Sequence, residues 1–444
     1  MGSSVRVKEA SVVTPSEPTP SSVLALSALD SQLFLRFTIE YLLVYNPCPG
    51  LDQAATTARL KAALAQALVP YYPFAGRVRT RPDGPGLEVV CGAQGAVFIE
   101  ASADRYNVND FEKAPKAVAH WRSLLSLHVA DVLKGSPPLV VQLTWLGDGA
   151  AAIGVGINHC ICDGIGSAEF LNHFAELANE KRELLLLAQR PKHKPIWERH
   201  LLKPTRGKQT RVDSESHPEF NRVPDLCNFM NKVSTGLKPT SVTFDKRRLN
   251  EMKRLASSTS EPGETVCYTS FEVLAAHVWR SWARAIRFPP NQKLKLVFSI
   301  NVRNRVKPGL PEGYYGNAFV LGCAETRAKE LEERGIGFGS GLVKRAKERV
   351  GNEHVRGVMG MVWERKACPD PVGVLIVSQW SRLGLENIDL GMGKLLHVGP
   401  VCCDRYCLFL PVRDQCLSVK VMLAVPTHAL HNYQLFMRYK KYHA

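Results

Sequence analysis

Small and β-branched residues run from Ala150 to Ile157 and read as one buried strand, with Ile153, Val155 and Ile157 alternating along it. A polar knot of Asn158, His159 and Asp163 follows, and Gly164 and Gly166 break the strand period. From Ser167 to Ala178 the apolar residues Ala168, Phe170, Leu171, Phe174 and Ala175 recur at helical spacing, with Ser167 or Asp163 able to cap the start. The pattern therefore puts a histidine at the mouth of a strand-to-helix turn. A strand end is rigid and the loop beyond it leaves room for a substrate, which suits a base.

The same reading along the chain predicts mixed α/β structure. A strand is expected over Phe34 to Val44, an amphipathic helix over Asp52 to Leu68, and a hairpin around Arg81-Pro82-Asp83-Gly84. A second hairpin, Leu139 to Trp145 with Ala150 to Ile157, leads into His159. The helix after His159 is expected to end near Leu187. From Arg190 to Pro239 the chain turns to Lys, Arg, Pro, His and Ser, which marks a crossover. The second half restarts with a strand at Ser241 to Phe244, a charged helix over Lys246 to Ala256, and a helix over Thr269 to Ala285. Strands follow at Leu294 to Ile300 and Ala318 to Cys323, then helices to about Arg365. Two short strands, Val374 to Ser378 and Val419 to Val425, close the fold. Domains are thus expected at 1–190 and 240–444, joined by a linker at 191–239.

Length supports that division, since 444 residues exceed one ordinary core and suggest two of about 200 each. With 45% hydrophobic and 22% charged residues the composition is that of a soluble globular protein. No run of 18 apolar residues occurs, the start lacks a signal-peptide core, and a cytoplasmic protein without a membrane span is expected. Cys160 and Cys162, or Cys402, Cys403 and Cys407, are spaced neither as zinc pairs nor as a disulfide framework, so reduced buried thiols and no metal are expected. The net charge of +16 has two readings: a solvated Lys/Arg-rich stretch from Arg190 to Arg211, or an anionic ligand such as a phosphorylated cofactor. Nucleic acid fits less well, because no binding motif accompanies the charge.

One His-x-x-x-Asp among 13 histidines carries little by itself. Its company carries more. Thr19-Pro20 with Leu26-Ser27-x-Leu29-Asp30 comes first, then Tyr72-Pro73-Phe74-Ala75-Gly76-Arg77 and His159-x-x-x-Asp163-Gly164. Phe271-Glu272, Ala276-His277-Val278-Trp279-Arg280 and Tyr314-Tyr315-Gly316-Asn317 follow. The late loop Asp389-Leu390-Gly391-Met392-Gly393-Lys394 stands ahead of Gly399-Pro400. In this order the motifs resemble those of the plant BAHD acyltransferases, essentially end to end. The resemblance implies two similar-sized α/β domains of the CoA-dependent acyltransferase type, with a solvent channel at their interface. It also implies a monomer that takes acyl-CoA as co-substrate, holds no permanent cofactor, and moves the acyl group to an alcohol or amine.

A neutral imidazole, with an ordinary pKa of about 6.5, is matched to removing a hydroxyl proton near neutral pH, so His159 is the expected general base. The resemblance directs Asp163 away from His159 into an ion pair with Arg303, rather than into a triad. It sets Ser378 and Trp380 on the acceptor side, with Ser378 a candidate oxyanion donor. Lys246, Arg247, Arg248, Gly391 and Gly393 are candidates for the CoA side. The late loop departs from the family's Asp-Phe-Gly-Trp-Gly, because Leu390 and Met392 replace both aromatics while keeping apolar bulk. Asp389 is retained as a second residue on which activity depends. Asp163 to Phe170 is similar to members that place hydroxycinnamoyl groups on long-chain or aromatic alcohols, so a fatty alcohol or ω-hydroxy acid acceptor is expected. The alternatives are an N-acyltransferase, a non-catalytic accessory protein of lipid elongation, and a peptide-synthetase condensation domain.

Overall fold

A computed structural model describes residues 5–112, 121–122, 133–179, 194–204, 216–258, 266–365, 367–413, 415 and 417–438. The expected helix beyond Asn179 and half of the basic stretch from Arg190 to Arg211 lie outside the described residues.

Among the described residues, two six-stranded sheets organise the fold. The first runs β1-β6-β7-β8-β3-β13, with β1 Arg6–Val13, β3 Thr38–Tyr45, β6 Ala96–Ala103, β7 Leu139–Leu146, β8 Ala151–Asn158 and β13 Leu395–Pro400. The second runs β11-β10-β12-β14-β15-β9, with β9 Leu237–Phe244, β10 Lys293–Asn301, β11 Phe319–Arg327, β12 Val374–Gln379, β14 Cys407–Pro411 and β15 Val419–Pro426. A small sheet of β2 Ser22–Ala25, β5 Leu87–Cys91 and β4 Arg77–Thr80 flanks the first.

Most elements lie where periodicity puts them. The helix Gln53–Ala67 is capped by the Asp52 carboxylate, which accepts from the Ala54 and Ala55 amides. Thr269 and Glu272 form a capping box at the start of Ser270–Ile286. The expected strand over Phe34 to Val44 instead begins as a single 3-10 turn, Leu33–Leu35, before β3.

The closing segment differs more. Between the two expected strands lie β13 and β14, and the helix Leu430–Arg438 follows β15. β13 joins the first sheet and pairs antiparallel with β3, Val398 opposite Leu43 and Gly399 opposite Leu42. Seven of the eight residues of β3 are buried, and a buried strand cannot leave one edge of amides and carbonyls unpaired. The 240–444 segment is therefore not confined to one sheet.

The cores interlock in the same way. Val297, Tyr315, Phe319 and Leu321 of the second half pack into the first core, and Ala28 and Leu29 of the first half pack into the second. The crossover is not a solvated loop where it is described. Arg199 is 2% exposed, Ile196 bridges to Tyr314, and Trp197 donates to the Pro70 carbonyl at 3.3 Å.

Candidate active site

β8 ends at Asn158, whose side-chain oxygen accepts from the Cys160 amide at 2.9 Å and starts the turn. The His159 amide donates to the Phe37 carbonyl at 3.0 Å, and the Asn317 side chain donates to the His159 carbonyl at 2.7 Å. Both bonds fix the backbone, so the half-buried imidazole projects into a cavity of about 440 Å³. Phe37 meets the ring edge-on at 5.3 Å and Phe319 lies at 5.9 Å. Burial holds the His159 pKa below its ordinary 6.5, against the opposing pull of the Asp163 charge and of the Asn317 side chain as an acceptor. A neutral imidazole in an apolar pocket is a base ready for use.

Asp163 follows the expected pairing. Its carboxylate receives both Arg303 nitrogens, Nη1 at 2.8 Å to Oδ2 and Nη2 at 3.2 Å to Oδ1. The Gly166 and Ala318 amides donate to it as well, at 3.0 and 3.1 Å. Burial alone would raise this carboxyl, but Arg303 and the two amides hold it below its ordinary 3.8. Asp163, not Ser167, caps the helix, which begins at Gly164. Gly164 and Gly166 thus do more than end a strand. A Cβ at Gly164 would stand 3.1 Å from the Trp380 ring, and one at Gly166 would stand 3.2 Å from the Tyr315 ring.

A second buried pair lies behind the first. Arg199 Nη1 is 2.6 Å from Asp30 Oδ2, with both side chains sealed from solvent. Asp30 also accepts from the Asn317 amide and side chain, at 2.9 and 3.0 Å, and Arg199 donates to the Ile161 carbonyl at 2.7 Å. Asn317 therefore joins this pair to the histidine loop. In the sequence Asp30 and Asn317 are only motif letters, and Arg199 is one basic residue of the linker. A lone arginine among many surface cations gives no signal of burial.

The structure brings His159, Asp163, Ser378 and Trp380 to one cavity and sets Arg303 on the far side of Asp163. Trp380 is 6% exposed and packs edge-on to Tyr41 at 5.5 Å. The other candidates stand elsewhere. Lys246, Arg247 and Arg248 begin the helix Lys246–Ser258 and do not line the cavity, and the Arg248 guanidinium lies over the Phe244 ring at 4.2 Å. Asp389 does not line it either. Its exposed carboxylate accepts from the Gly391 amide at 2.9 Å, a local turn bond, so a role in contact with the reacting atoms is not what the geometry gives it. Arg59 anchors the loop through the carbonyls of Leu390 and Gly391, at 3.1 and 3.4 Å. Leu390 and Met392 are each 1% exposed, so they fill the first core as apolar bulk predicts. Gly391 and Gly393 have φ of +67° and +119°, which L side chains rarely adopt.

The sequence model of the Transferase family matches residues 3–437. Omega-hydroxypalmitate O-feruloyl transferase of Arabidopsis thaliana is 32% identical over 437 residues, covering 97% of this chain and 92% of that protein. Taxadien-5-alpha-ol O-acetyltransferase of Taxus chinensis is 31% identical over 452 residues, covering 99% and 98%. The chain belongs to the BAHD acyltransferase family. Vinorine synthase shares the fold, with a TM-score of 0.72 at 21% identity over 96% of each chain. In this BAHD acyltransferase, as in the sequence expectation, the histidine loop lies where the two halves meet.

Proposed function

We propose that the protein transfers an acyl group, of the hydroxycinnamoyl type, from coenzyme A to the hydroxyl of a long-chain alcohol or ω-hydroxy acid. The observation that carries this reading is the His159 imidazole, kept neutral by burial in an apolar cavity lined from both halves. His159 takes the hydroxyl proton as the acceptor oxygen attacks the thioester carbonyl. A C–O bond forms, the carbonyl oxygen becomes an oxyanion, and its collapse breaks the C–S bond. Protonated His159 returns the proton to the departing thiolate, so no acyl-enzyme is needed. Ser378 is the proposed oxyanion donor, and one such donor is worth roughly 3 kcal/mol.

The cavity lining supports an apolar acceptor. Phe34, Leu35, Ile39, Val297, Leu321 and Ile376 line it, while Arg382 stands exposed among its lining residues. No carboxylate of the described residues pairs with Arg382, so it suits the anionic end of an ω-hydroxy acid. Two relatives fit this class by name: the O-feruloyl transferase above, and fatty alcohol:caffeoyl-CoA acyltransferase of Arabidopsis thaliana at 30% identity.

The test is free-thiol release from a panel of acyl-CoAs, with fatty alcohols, ω-hydroxy acids and amines offered as acceptors. Release is expected with a hydroxycinnamoyl-CoA only when a long-chain hydroxyl is present, and it is expected to fall by about 10²–10⁴ in His159→Ala. Folded protein that releases no thiol with any pair would overturn the catalytic reading in favour of an accessory role. Preference for amines would move the reaction to N-acylation.

A further inference from the structure

Outside the His159 cavity, His217 and Glu219 of the crossover converge with His354, far along the chain, on one point. His217 Nδ1 lies 3.1 Å from Glu219 Oε1, and His354 Nε2 lies 3.3 Å from the same oxygen. All three ligand atoms fall within 4.8 Å of one another, and among the described residues this is the group that does so. The side chains are 5%, 1% and 6% exposed, in the order His217, Glu219, His354. Glu219 sits in the 3-10 turn Pro218–Phe220 with His217 just before it, and His354 sits in the first turn of the helix Asn352–Arg365.

Hydrogen bonding accounts for only part of this arrangement. His354 Nε2 is buried without an acceptor in hydrogen-bond geometry, although the Glu219 oxygen is 3.3 Å away. A tetrahedral zinc ion, with bonds of about 2.0–2.1 Å, sets neighbouring ligand atoms about 3.3–3.4 Å apart. The two separations to Glu219 Oε1, 3.1 and 3.3 Å, are close to that edge length, and the two histidine nitrogens lie within 4.8 Å of each other. Two imidazoles and one carboxylate are also a donor set that zinc accepts, leaving a fourth position for water.

We propose that His217, Glu219 and His354 form a site for a divalent d-block cation of the zinc class, stapling the crossover to the helix Asn352–Arg365. The Lys295 ammonium nearby, 2.7 Å from the Pro218 carbonyl, works against any cation. Selection against magnesium and calcium comes from the ligands, because these ions gain little from imidazole. Gly357 belongs to the site without ligating: a Cβ there would stand 2.5 Å from His217 Nε2, so the helix can approach the ring only at a glycine. The proposal is independent of the acyltransferase reading.

The full-length protein, stripped with chelator and dialysed against zinc, should retain one zinc per chain by atomic emission. Cobalt(II) in its place should give the ligand-field spectrum of a tetrahedral nitrogen and oxygen site. Glu219→Gln, His354→Gln and Gly357→Ala should each lose the metal, and added zinc should raise the thermal midpoint of wild type but not of these variants. Folded wild type that holds no zinc would overturn the proposal. So would His354→Gln binding as tightly as wild type, or a cobalt spectrum with thiolate charge transfer, which would place the ion on cysteines. Where a variant does not fold, the wild-type cobalt spectrum decides.

Discussion

The chemistry rests on one residue whose surroundings do opposite things to it. Burial lowers the His159 pKa, while the Asp163 charge and Asn317 pull it back up. The sign is therefore worked out from the net lowering: the neutral base persists to a pH below the ordinary 6.5, and acid stops the reaction only beneath that value. The acid limb of kcat/KM, followed between about pH 5 and 8, should inflect below the range of a free histidine. An inflection at the ordinary 6.5 would mean that the ring is solvated in solution, and one above it that the Asp163 charge outweighs burial. Removing the base altogether, as His159→Ala, should cost about 10²–10⁴ in rate while circular dichroism stays unchanged. Ser378→Ala tests the oxyanion role separately. A loss of about 10²–10³ in kcat with little change in KM is expected, whereas a KM effect alone would make Ser378 a packing residue.

At the scale of elements, the strand β8, its histidine turn and the following helix are held by an ion pair reaching into the second half. Removing one partner of a buried pair leaves the other charge without compensation, at about 3–5 kcal/mol. Asp163→Asn should lose that much in urea unfolding, and a double-mutant cycle with Arg303→Gln should show coupling of about 0.5–3 kcal/mol. The pH dependence has a definite direction. The folded Asp163 pKa is depressed, so the stability it contributes is fully present above its ordinary 3.8 and is lost as pH falls through the folded value. The stability gap between wild type and Asp163→Asn should close in that acid range. A gap that stays constant through it would show that packing, not charge, holds the turn.

At the scale of the whole molecule, the two halves are locked by exchange rather than by a flat contact. β13 crosses into the first sheet, and Asp30 of the first half binds Arg199 of the crossover and Asn317 of the second half. Gly316 is the close approach that permits this, since a Cβ there would stand 2.5 Å from the buried Arg199 guanidinium. Gly316→Ala should displace Arg199 and loosen the crossover. Faster proteolysis between residues 194 and 204, with reduced thiol release, is the expected outcome. Unchanged proteolysis and activity would mean that Asp30 and Arg199 adjust without consequence.

Local order in the chain was enough to place the histidine. The apolar run into β8, the caps at Asp52 and Thr269, and the helical spacing after Asp163 are short-range effects, and each element formed as its own residues dictate. Motif order added the Asp163–Arg303 pair. What local pattern could not carry was anything set by distant partners. The burial of Arg199 depends on an aspartate 169 positions away, the destination of β13 on the open edge of β3, and the convergence of His217 and Glu219 with His354 on how a crossover meets a helix. Residue type and periodicity determine which elements form and which groups have chemistry to offer. Only the folded chain decides which of those groups meet, because pairing of charges, strand edges and ligands is a property of neighbours in space.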